Sequence, residues 1–425
     1  MHELINKKAA CLQAPVKGMG LYIHIPFCMS KCAYCDFLSF EGMGEGVYEQ
    51  YVRALIAEMH LVIAGLTRNP LSSFEEKERG LRIKRGMTEP LIDTVYIGGG
   101  TPTALPPHLL CEILREVQQL NLAPNAEITL EMNPSTNQLS ALADYACHGI
   151  NRLSIGLQAW QDKFLQGLRR AHTAAEFAQT MQAARAAGIG NINVDLMFGL
   201  PWQGLWHWQE SVAQVIAHEP THISAYSLTP AENTPLWDAL ESGKVTLPSE
   251  AADRAMYHEA IKMLATAGYE HYELSNFAKP GRESRHNIDC WSRKPYLGLG
   301  LGAHSFDGER RWRNTYDMRR YLDVWGAPVK ENMAPGHDSG ASTREDLEVL
   351  SRRDAMAETM FLGLRMAKGV SPQAFYKSYG QHLADCYGQE LEMLVSKGLI
   401  ICTPERVALT PLGMDLANQV FEVFL

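Results

Sequence analysis

Short apolar runs rich in β-branched residues recur through the first half of the chain, and segments of helix length separate them. Repeated units of this kind are typical of a parallel sheet covered by helices. The pattern predicts an α/β barrel domain, although counting strands does not by itself separate six strands from eight. Six runs are predicted to be strands, at residues 21–25, 94–97, 127–131, 152–155, 191–196 and 222–227.

The segment between the first two runs carries a helical period. Tyr51, Leu55 and Met59 recur at four-residue steps after a turn near Tyr48. Residues at this spacing lie on one face of a helix. We therefore predict an amphipathic helix that covers the barrel wall.

The alternation of strands and helices fades after about Gly298. A helix is predicted over residues 346–366 with Gly369 as its stop signal, followed by helices around a hairpin formed by 399–402 and 407–409. This tail predicts a smaller, mainly helical, winged-helix-like domain. Winged helices often bind DNA, but the acidic balance of this chain favours a lid or docking role. The predicted divisions are an N-terminal extension at 1–20, a barrel domain at 21–297 and a C-terminal domain at 298–425.

Two polar stretches interrupt these patterns. Residues 66–90 contain the sequence EEKERGLRIKRG with little periodicity, and residues 330–343 read KENMAPGHDSGAST. The first stretch could be a basic recognition arm or a solvated surface insertion. Because its acidic residues offset much of the positive charge, the surface insertion is favoured.

The composition limits which binding partners and which cellular compartment are expected. The chain has 39 Lys and Arg against 48 Asp and Glu, a formal net charge of -9, which argues against nucleic acid as a partner. Outside one triplet the remaining cysteines stand alone along the chain, as expected in a reducing compartment. The N-terminal residues have no apolar signal-peptide core, and no long apolar run predicts a membrane span. We therefore expect a cytoplasmic protein.

The cysteine triplet is the strongest chemical signal. Cys28, Cys32 and Cys35 lie within HIPFCMSKCAYCDF at CxxxCxxC spacing. Three thiolates at this spacing can hold three irons of a 4Fe-4S cluster and leave one iron open for a ligand. A zinc knuckle is the alternative, but zinc sites usually pair such a motif with a second closely spaced Cys or His pair, and this sequence has none.

The chain resembles the radical SAM superfamily, through the cysteine loop and through GGGTPT, NVDLMFGLPWQ and YELSNFAKPG. GGGTPT is the form seen in the coproporphyrinogen-oxidase-like branch. The resemblance implies a partial (β/α)6 barrel and a 4Fe-4S cluster whose open iron chelates S-adenosylmethionine (SAM). It also implies one-electron reduction of SAM to an adenosyl radical, so that the cofactors and not an acid-base pair carry the chemistry.

The SAM pocket is expected at the carboxyl ends of the strands, where barrel enzymes place their chemistry. A glycine run there lets backbone groups approach a ligand closely, and an arginine can pair with the SAM carboxylate through two parallel donors. Taken singly, each polar residue could equally be a structural strand-end group. As a set they match the SAM-contact positions of the branch: Tyr22, Tyr34, Gly99, Gly100, Thr101, Glu131, Gln158, Arg170 and Asp195.

Two departures separate the chain from the true coproporphyrinogen III oxidases. Those enzymes have a further cysteine two residues after the third, where this chain has Phe37, and a longer segment before the first strand. Both differences favour the radical SAM heme chaperones of the branch. These chaperones carry an HNxxYW signature linked with heme binding, and this chain reads HNIDCW from His286 to Trp291. The resemblance makes His286 a candidate axial ligand of heme, although a structural hydrogen bond is the alternative.

Cys290 replaces the tyrosine of that signature, which removes a phenol and adds a thiol that could itself ligate iron.

Three functions stay open on the sequence alone. The chain could carry heme to respiratory haemoproteins, in the cytoplasm or at the membrane surface, or could act in porphyrin biosynthesis by decarboxylating coproporphyrinogen III. It could also keep the fold as a metal-bound interaction module.

Overall fold

The computed structural model describes residues 18–68, 90–134, 136–326 and 343–425. Most of the predicted N-terminal extension, of the insertion at 66–90 and of the stretch at 330–343 lies outside these residues. The strands are β1 (Met19–Ile25), β2 (Phe27–Cys28), β3 (Phe40–Glu41), β4 (Ile92–Gly99), β5 (Leu122–Met132), β6 (Arg152–Gln158), β7 (Asn191–Phe198), β8 (His222–Ser227), β9 (Glu270–Glu273), β10 (Asn276–Ala278), β11 (Tyr296–Leu299), β12 (His304–Phe306), β13 (Arg310–Asn314), β14 (Arg344–Val349), β15 (Ile400–Cys402) and β16 (Val407–Leu409).

Helices cover the outside of the sheet and build the C-terminal region. They are α1 (Glu45–Arg68), α2 (Pro107–Gln118), α3 (Leu142–Cys147), α4 (Asp162–Gly167), α5 (Ala174–Ala186), α6 (Leu205–Ala217), α7 (Pro235–Glu241), α8 (Glu250–Thr266), α9 (Arg285–Trp291), α10 (Met318–Trp325), α11 (Arg352–Leu364), α12 (Pro372–Tyr379), α13 (Leu383–Ser396), α14 (Pro411–Asp415) and α15 (Ala417–Glu422). The predicted helix through Tyr51, Leu55 and Met59 is α1, and all three side chains are buried in the main core.

The main sheet has twelve strands in the order β14-β13-β12-β11-β1-β4-β5-β6-β7-β8-β10-β9. The strands from β1 through β8 in this order pair in parallel and contain all six predicted strands. Their outward side chains are apolar and fully buried against the helices, which explains why the runs were visible in the sequence. The predicted partial barrel with a smaller C-terminal domain is confirmed.

The sheet continues past β1 in a way that the sequence pattern did not reveal. Strand β11 pairs in parallel with β1, and β12, β13 and β14 follow it as antiparallel neighbours. The helix predicted over 346–366 is therefore partly wrong, because residues up to Val349 form an edge strand and α11 begins at Arg352. The helix also ends at Leu364, and Gly369 turns the chain afterwards with a φ of +70°.

A buried carboxylate fixes this extension to the barrel. Glu58 of α1 is 2 % exposed and accepts hydrogen bonds from the backbone N–H of Gly300 at 2.8 Å, from Asn314 at 2.6 Å and from the Tyr321 hydroxyl at 2.7 Å. Burial raises the pKa of Glu58. One side chain thus joins α1, the turn after β11, β13 and α10.

The C-terminal region has its own core. Helices α11 to α15 pack around the β15–β16 hairpin through a cluster that includes Met360, Phe375, Leu394 and Val420. The hairpin was predicted, and its register pairs Ile400 with Leu409. We predicted that the barrel domain ends at residue 297. In the structure the main sheet runs to β14, and the second core starts in α11. Among the described helices, none combines the length and the apolar character needed to cross a membrane.

Candidate functional site

The three cysteines lie in the segment that follows β1, with Cys28 at the end of the short strand β2 and Cys32 and Cys35 in the loop after it, at the carboxyl ends of the parallel strands. Two backbone hydrogen bonds fix this loop on its neighbours, from the Ala33 N–H to the Leu168 carbonyl at 3.0 Å and from the Leu236 N–H to the Ala33 carbonyl at 2.9 Å. Cys28 is buried, Cys32 and Cys35 are partly exposed, and all three are free thiols. The loop therefore presents three sulfurs on a backbone that is fixed at its centre.

The glycine run packs directly under this loop. A Cβ atom at Gly100 would lie 2.6 Å from the Phe27 carbonyl oxygen and 3.0 Å from the Cys28 sulfur, so only glycine allows this approach. Gly99 has a φ of +121°, a conformation that side chains disfavour. The Thr101 hydroxyl lies 3.8 Å from the Cys28 sulfur. The structure thus brings Gly99, Gly100 and Thr101 against the cysteine loop, where the sequence placed them.

Glu131 ends β5 beside the glycine run. Its carboxylate accepts hydrogen bonds from the Tyr96 hydroxyl at 2.7 Å and from the Gly99 N–H at 3.2 Å. Burial raises the pKa of Glu131 to about 7, and the nearby Asp195 carboxylate adds to the shift. Asp195 is held by Asn193 at 2.7 Å, and burial raises the pKa of this group also. Both carboxyl groups therefore face a shielded interior in which a cationic amino group would be stabilised.

Arg170 reaches across the barrel mouth to the cysteine loop. Its guanidinium donates to the Cys32 sulfur at 3.3 Å and to the Gly156 carbonyl at 2.6 Å, and it also hydrogen-bonds Asn133. Asn133 in turn donates to the Thr101 hydroxyl at 3.0 Å. The sequence analysis missed Asn133. It stands two residues after Glu131 in MNP, so the alternation of the strand could have identified it as a residue of the same face.

Gln158 and Tyr34 are two further predicted site residues at the mouth of the barrel. Gln158 ends β6 with a φ of +72° and accepts a hydrogen bond from the Tyr226 hydroxyl at 2.8 Å. Tyr34 packs in a small apolar cluster, and burial raises the pKa of its hydroxyl while the charge of Arg170 opposes the shift. Like Asn133, Tyr226 lines the site but was not identified from the sequence as a site residue. The strand pattern predicted it only as part of the strand that is β8.

Tyr22 lies deeper, on the inner face of β1. Its hydroxyl is 2.9 Å from Nδ1 of His24, its ring stacks with Tyr96 at 6.3 Å, and burial raises the pKa of the hydroxyl. His24 was not singled out in the sequence. The site residues on β1, β4, β5, β6 and β7 therefore share one inner surface.

His286 lies at the other end of the barrel. It is 6 % exposed, and its Nδ1 is 2.9 Å from the hydroxyl of Thr94, near the start of β4. Gly99 stands five residues further along that strand, a distance of about 16 Å. The backbone N–H groups of Arg285 and His286 both donate to Glu127, at 3.2 and 3.1 Å, which fixes the start of α9 beneath the barrel. The structure does not bring His286 together with the cysteines.

The other residues of the HNIDCW segment also face away from the mouth. Burial raises the pKa of the Cys290 thiol to about 12, so the thiol form dominates near neutral pH. Trp291 packs under the Arg365 guanidinium, which lies 4.5 Å from the centre of the ring. These contacts join α9 to the C-terminal domain.

The cysteine loop fits a cluster by the chemistry of its donors. Burial raises the pKa of the Cys28 and Cys35 thiols, and the Cys32 sulfur adds to both shifts, so the three sulfurs are near enough to influence one another. Three thiol donors on one loop are the ligand type that an iron-sulfur cluster takes. In the described parts of the chain no three His, Cys, Asp or Glu side chains converge on a single ion position. In a 4Fe-4S cluster, by contrast, each thiolate binds a different iron.

Two family models match the chain. The Radical SAM superfamily model matches residues 22–215, and the HemN C-terminal domain model matches residues 350–416. Among solved structures, coproporphyrinogen III oxidase of Escherichia coli aligns with a TM-score of 0.76 at 21% sequence identity and covers 97% of this chain and 91% of its own. At that identity the match shows the fold.

Curated relatives match over nearly the whole length. The protein named heme chaperone HemW of Bacillus subtilis is 34% identical over 407 residues, which cover 95% of this chain and 98% of the relative. The HemW of Escherichia coli is 31% identical and covers 96% and 98%. The mouse mitochondrial protein named radical S-adenosyl methionine domain-containing protein 1 is 33% identical and covers 90% and 81%.

Proposed function

This chain belongs to the HemW family of the radical SAM superfamily, and from that premise we propose that it is a heme chaperone that delivers heme to respiratory haemoproteins. The observation that carries the proposal is the near full-length similarity to relatives named heme chaperones. The residue at position 37 agrees with this proposal, because the chain has Phe37 where the oxidases have a further cysteine. The Phe37 side chain is 65% exposed.

In this function Cys28, Cys32 and Cys35 hold a 4Fe-4S cluster, and its open iron takes the amino and carboxylate groups of SAM. The contacts of the Gly99–Thr101 turn and of Arg170 with the cysteine loop support this assignment. When bound, the two cofactors would supply one-electron chemistry. Glu131 would receive the SAM amino group and Arg170 the carboxylate, because a guanidinium matches a carboxylate with two parallel hydrogen bonds.

Tyr22, Tyr34, Gln158 and Asp195 would line the nucleoside side of the same pocket. Their placement on one inner surface supports this role. His286 is the candidate heme ligand from the family signature, and its burial beneath the barrel means that α9 would have to move before heme could reach it. Delivery takes place in the cytoplasm or at the membrane surface.

The deciding experiment is a paired anaerobic assay on the full chain with a reconstituted cluster. One sample receives heme, and the other receives coproporphyrinogen III, SAM and a reductant. A chaperone gives stable heme absorption and forms no protoporphyrinogen. The matched control is Cys32→Ala combined with Cys35→Ala, which should lose the cluster absorption.

Formation of protoporphyrinogen at a rate that requires the cluster would overturn the chaperone function in favour of the porphyrin-synthesis enzyme. Failure of the wild-type chain to take up heme, with an intact cluster, would overturn it also.

A further inference from the structure

The inner face of the barrel continues onto the sheet extension. In the strand register Tyr22 of β1 lies opposite Gly298 of β11, and His304 of β12 lies opposite Arg313 of β13. A Cβ atom at Gly298 would lie 2.1 Å from the His304 carbonyl oxygen, so these two residues are also direct neighbours. Because side chains at one register level point to the same side of a sheet, Tyr22, His304 and Arg313 share the inner face.

His304 offers a free imidazole on this face. Its side chain is exposed, and it forms no hydrogen bond with any residue of the described ranges. Desolvation of the part of the ring that packs against the sheet, together with the charges of Arg313 and Arg311, lowers the pKa of His304, and the charge of Asp346 opposes the shift. The imidazole is therefore neutral near pH 7, which is the form that binds a metal.

His286 differs in each of these respects. Its Nδ1 is occupied by Thr94, its ring packs against Tyr96 at 5.3 Å, and it lies beneath the barrel. Of the two histidines, only His304 is accessible without a movement of the backbone.

Two arginines lie on the same face as His304, one register level toward the amino end of the barrel. Arg311 and Arg293 both bond the single carboxylate of Glu358, at 3.0 and 2.7 Å, so this group carries one more positive than negative charge. The Arg311 side chain is 37% exposed and the Arg293 side chain is 12% exposed, so Arg311 is the one of the two that a ligand can reach. The two guanidiniums stack on the Phe306 ring, at 5.2 and 5.1 Å from its centre, which fixes their position.

The spacing of His304 and Arg311 suits a flat, metal-containing ring that carries two carboxylate side chains. Arg311 is one strand across and two residues along from His304, a separation of about 8 Å between their Cα atoms at standard sheet spacings. This is comparable to the reach of a heme propionate from the iron. Tyr316 is 49% exposed at the upper edge of the same face, where Arg313 lies 3.9 Å above its ring. It adds an aromatic edge for the macrocycle.

We propose that heme binds flat against the inner face of β12 and β13, with His304 as axial ligand and one propionate at Arg311. This site rests on the proposed chaperone function and locates its cargo. Binding forms one bond from the imidazole lone pair to the heme iron and displaces water, with no change in oxidation state. The heme would then lie on the same inner surface of the sheet as the SAM pocket, separated from β1 by β11.

The test is an anaerobic heme titration of the full, cluster-loaded chain followed by visible absorption. His304→Ala should weaken heme affinity at least tenfold, and His304→Met should shift the Soret band, because exchanging the ligand changes the spectrum only if the residue ligates iron. His108→Ala is the matched control, since His108 is also exposed but lies on the outer helix α2. His286→Ala is titrated in parallel.

A second arm examines the propionate. Heme dimethyl ester, which lacks free carboxylates, should bind the wild type several-fold more weakly than heme. Arg311→Met should remove that difference, and Arg319→Met, on an exposed residue of α10, should preserve it.

The outcomes separate cleanly. An unchanged affinity and spectrum in the His304 variants overturn this site, and so does a loss confined to the His286 variant while the wild type still binds heme. If the wild type takes up no heme although its cluster is intact, the chaperone function itself fails together with the site.

Discussion

The two ends of the barrel are built in opposite ways. At the carboxyl end, Cys32 and Cys35 are partly exposed, and the groups around them are held mainly through a loop and a glycine turn. At the amino end, His286 and the start of α9 are buried, with the imidazole and both backbone N–H groups already hydrogen-bonded. The carboxyl end therefore has thiol groups that can bind a ligand. At the amino end the polar groups already hydrogen-bond one another and hold α9 against the barrel.

The difference shows that a family signature and a ligand site need not coincide in space. The HNIDCW segment is a coherent structural unit, because Glu127 caps its first turn and Trp291 joins it to the C-terminal domain. The His286 imidazole and the first backbone N–H groups of α9 have local partners that account for them. The free imidazole of His304 has no such partner among the described residues.

The largest expected effect concerns the cysteines of the carboxyl end. Cys28→Ala should abolish the cluster, since two remaining thiolates cannot hold three irons, and iron content should fall from about four per chain to near zero. Cys111→Ala is the control, because this thiol is also partly buried but lies in α2. Anaerobic iron and sulfide analysis measures both variants, and zinc in place of iron in the wild type would refute the cluster.

Arg170 gives the next effect. Arg170→Ala should weaken SAM binding by roughly a hundredfold, about 3 kcal/mol, because two charge-assisted hydrogen bonds are lost from a shielded site. Arg169→Ala, an exposed neighbour, should bind SAM as the wild type does. Calorimetric titration of cluster-loaded protein decides, and equal affinities in the two variants would remove Arg170 from the pocket.

Glu131 makes the carboxyl end sensitive to pH. Its pKa is about 7 in the folded chain against an ordinary value of 4.5, so between these values the folded state holds a proton that the unfolded state has released. Folding stability should therefore fall as the pH rises from 4.5 to 7, by roughly 3 kcal/mol for this group. Glu131→Gln should remove that fall. Anaerobic urea unfolding of both proteins across the range measures it, and parallel pH curves would contradict the shift.

His286 should show the opposite slope at the amino end. Its pKa is lowered to about 4 by burial, so below pH 6.5 the unfolded state binds a proton that the folded state does not. Stability from this group should rise by about 2 kcal/mol between pH 5 and 6.5. His286→Asn should flatten the rise in the same unfolding series. A variant that steepens it would show that the imidazole is charged in the folded chain.

Much of the barrel could be predicted because its outward residues are apolar and its strands alternate with helices. The extension could not. Strands β11 and β12 lie in the glycine-rich sequence YLGLGLGAHSF, which reads as a loop, and Gly298 is needed there for close strand contact rather than for a turn. Strand β14 was predicted as helix because it carries Glu, Leu and Val at an exposed edge, where no alternation of buried residues marks a strand.

The site residues on the six predicted strands could be placed because parallel strands bring their carboxyl ends together. His286 could not be placed in this way, since α9 follows the antiparallel β9–β10 hairpin and returns the chain to the amino end. Asn133 and Tyr226 were missed because their roles come from contacts between strands that are distant in sequence. His24 stands in the cysteine motif, but its contact with Tyr22 appears only in the structure.

Within the described residues the twelve-stranded sheet does not close on itself: β14 forms one edge, and at the other side β9 bridges through Glu273 to Met366 of the C-terminal region. A closed cylinder admits and releases molecules only through its ends, and a rigid disc would have to be threaded past whatever fills the opening. An unsealed wall offers a lateral exit. A flat cargo on the β12–β13 side could be handed over sideways while the nucleoside stays in place, and loading and unloading would then be independent of cofactor turnover.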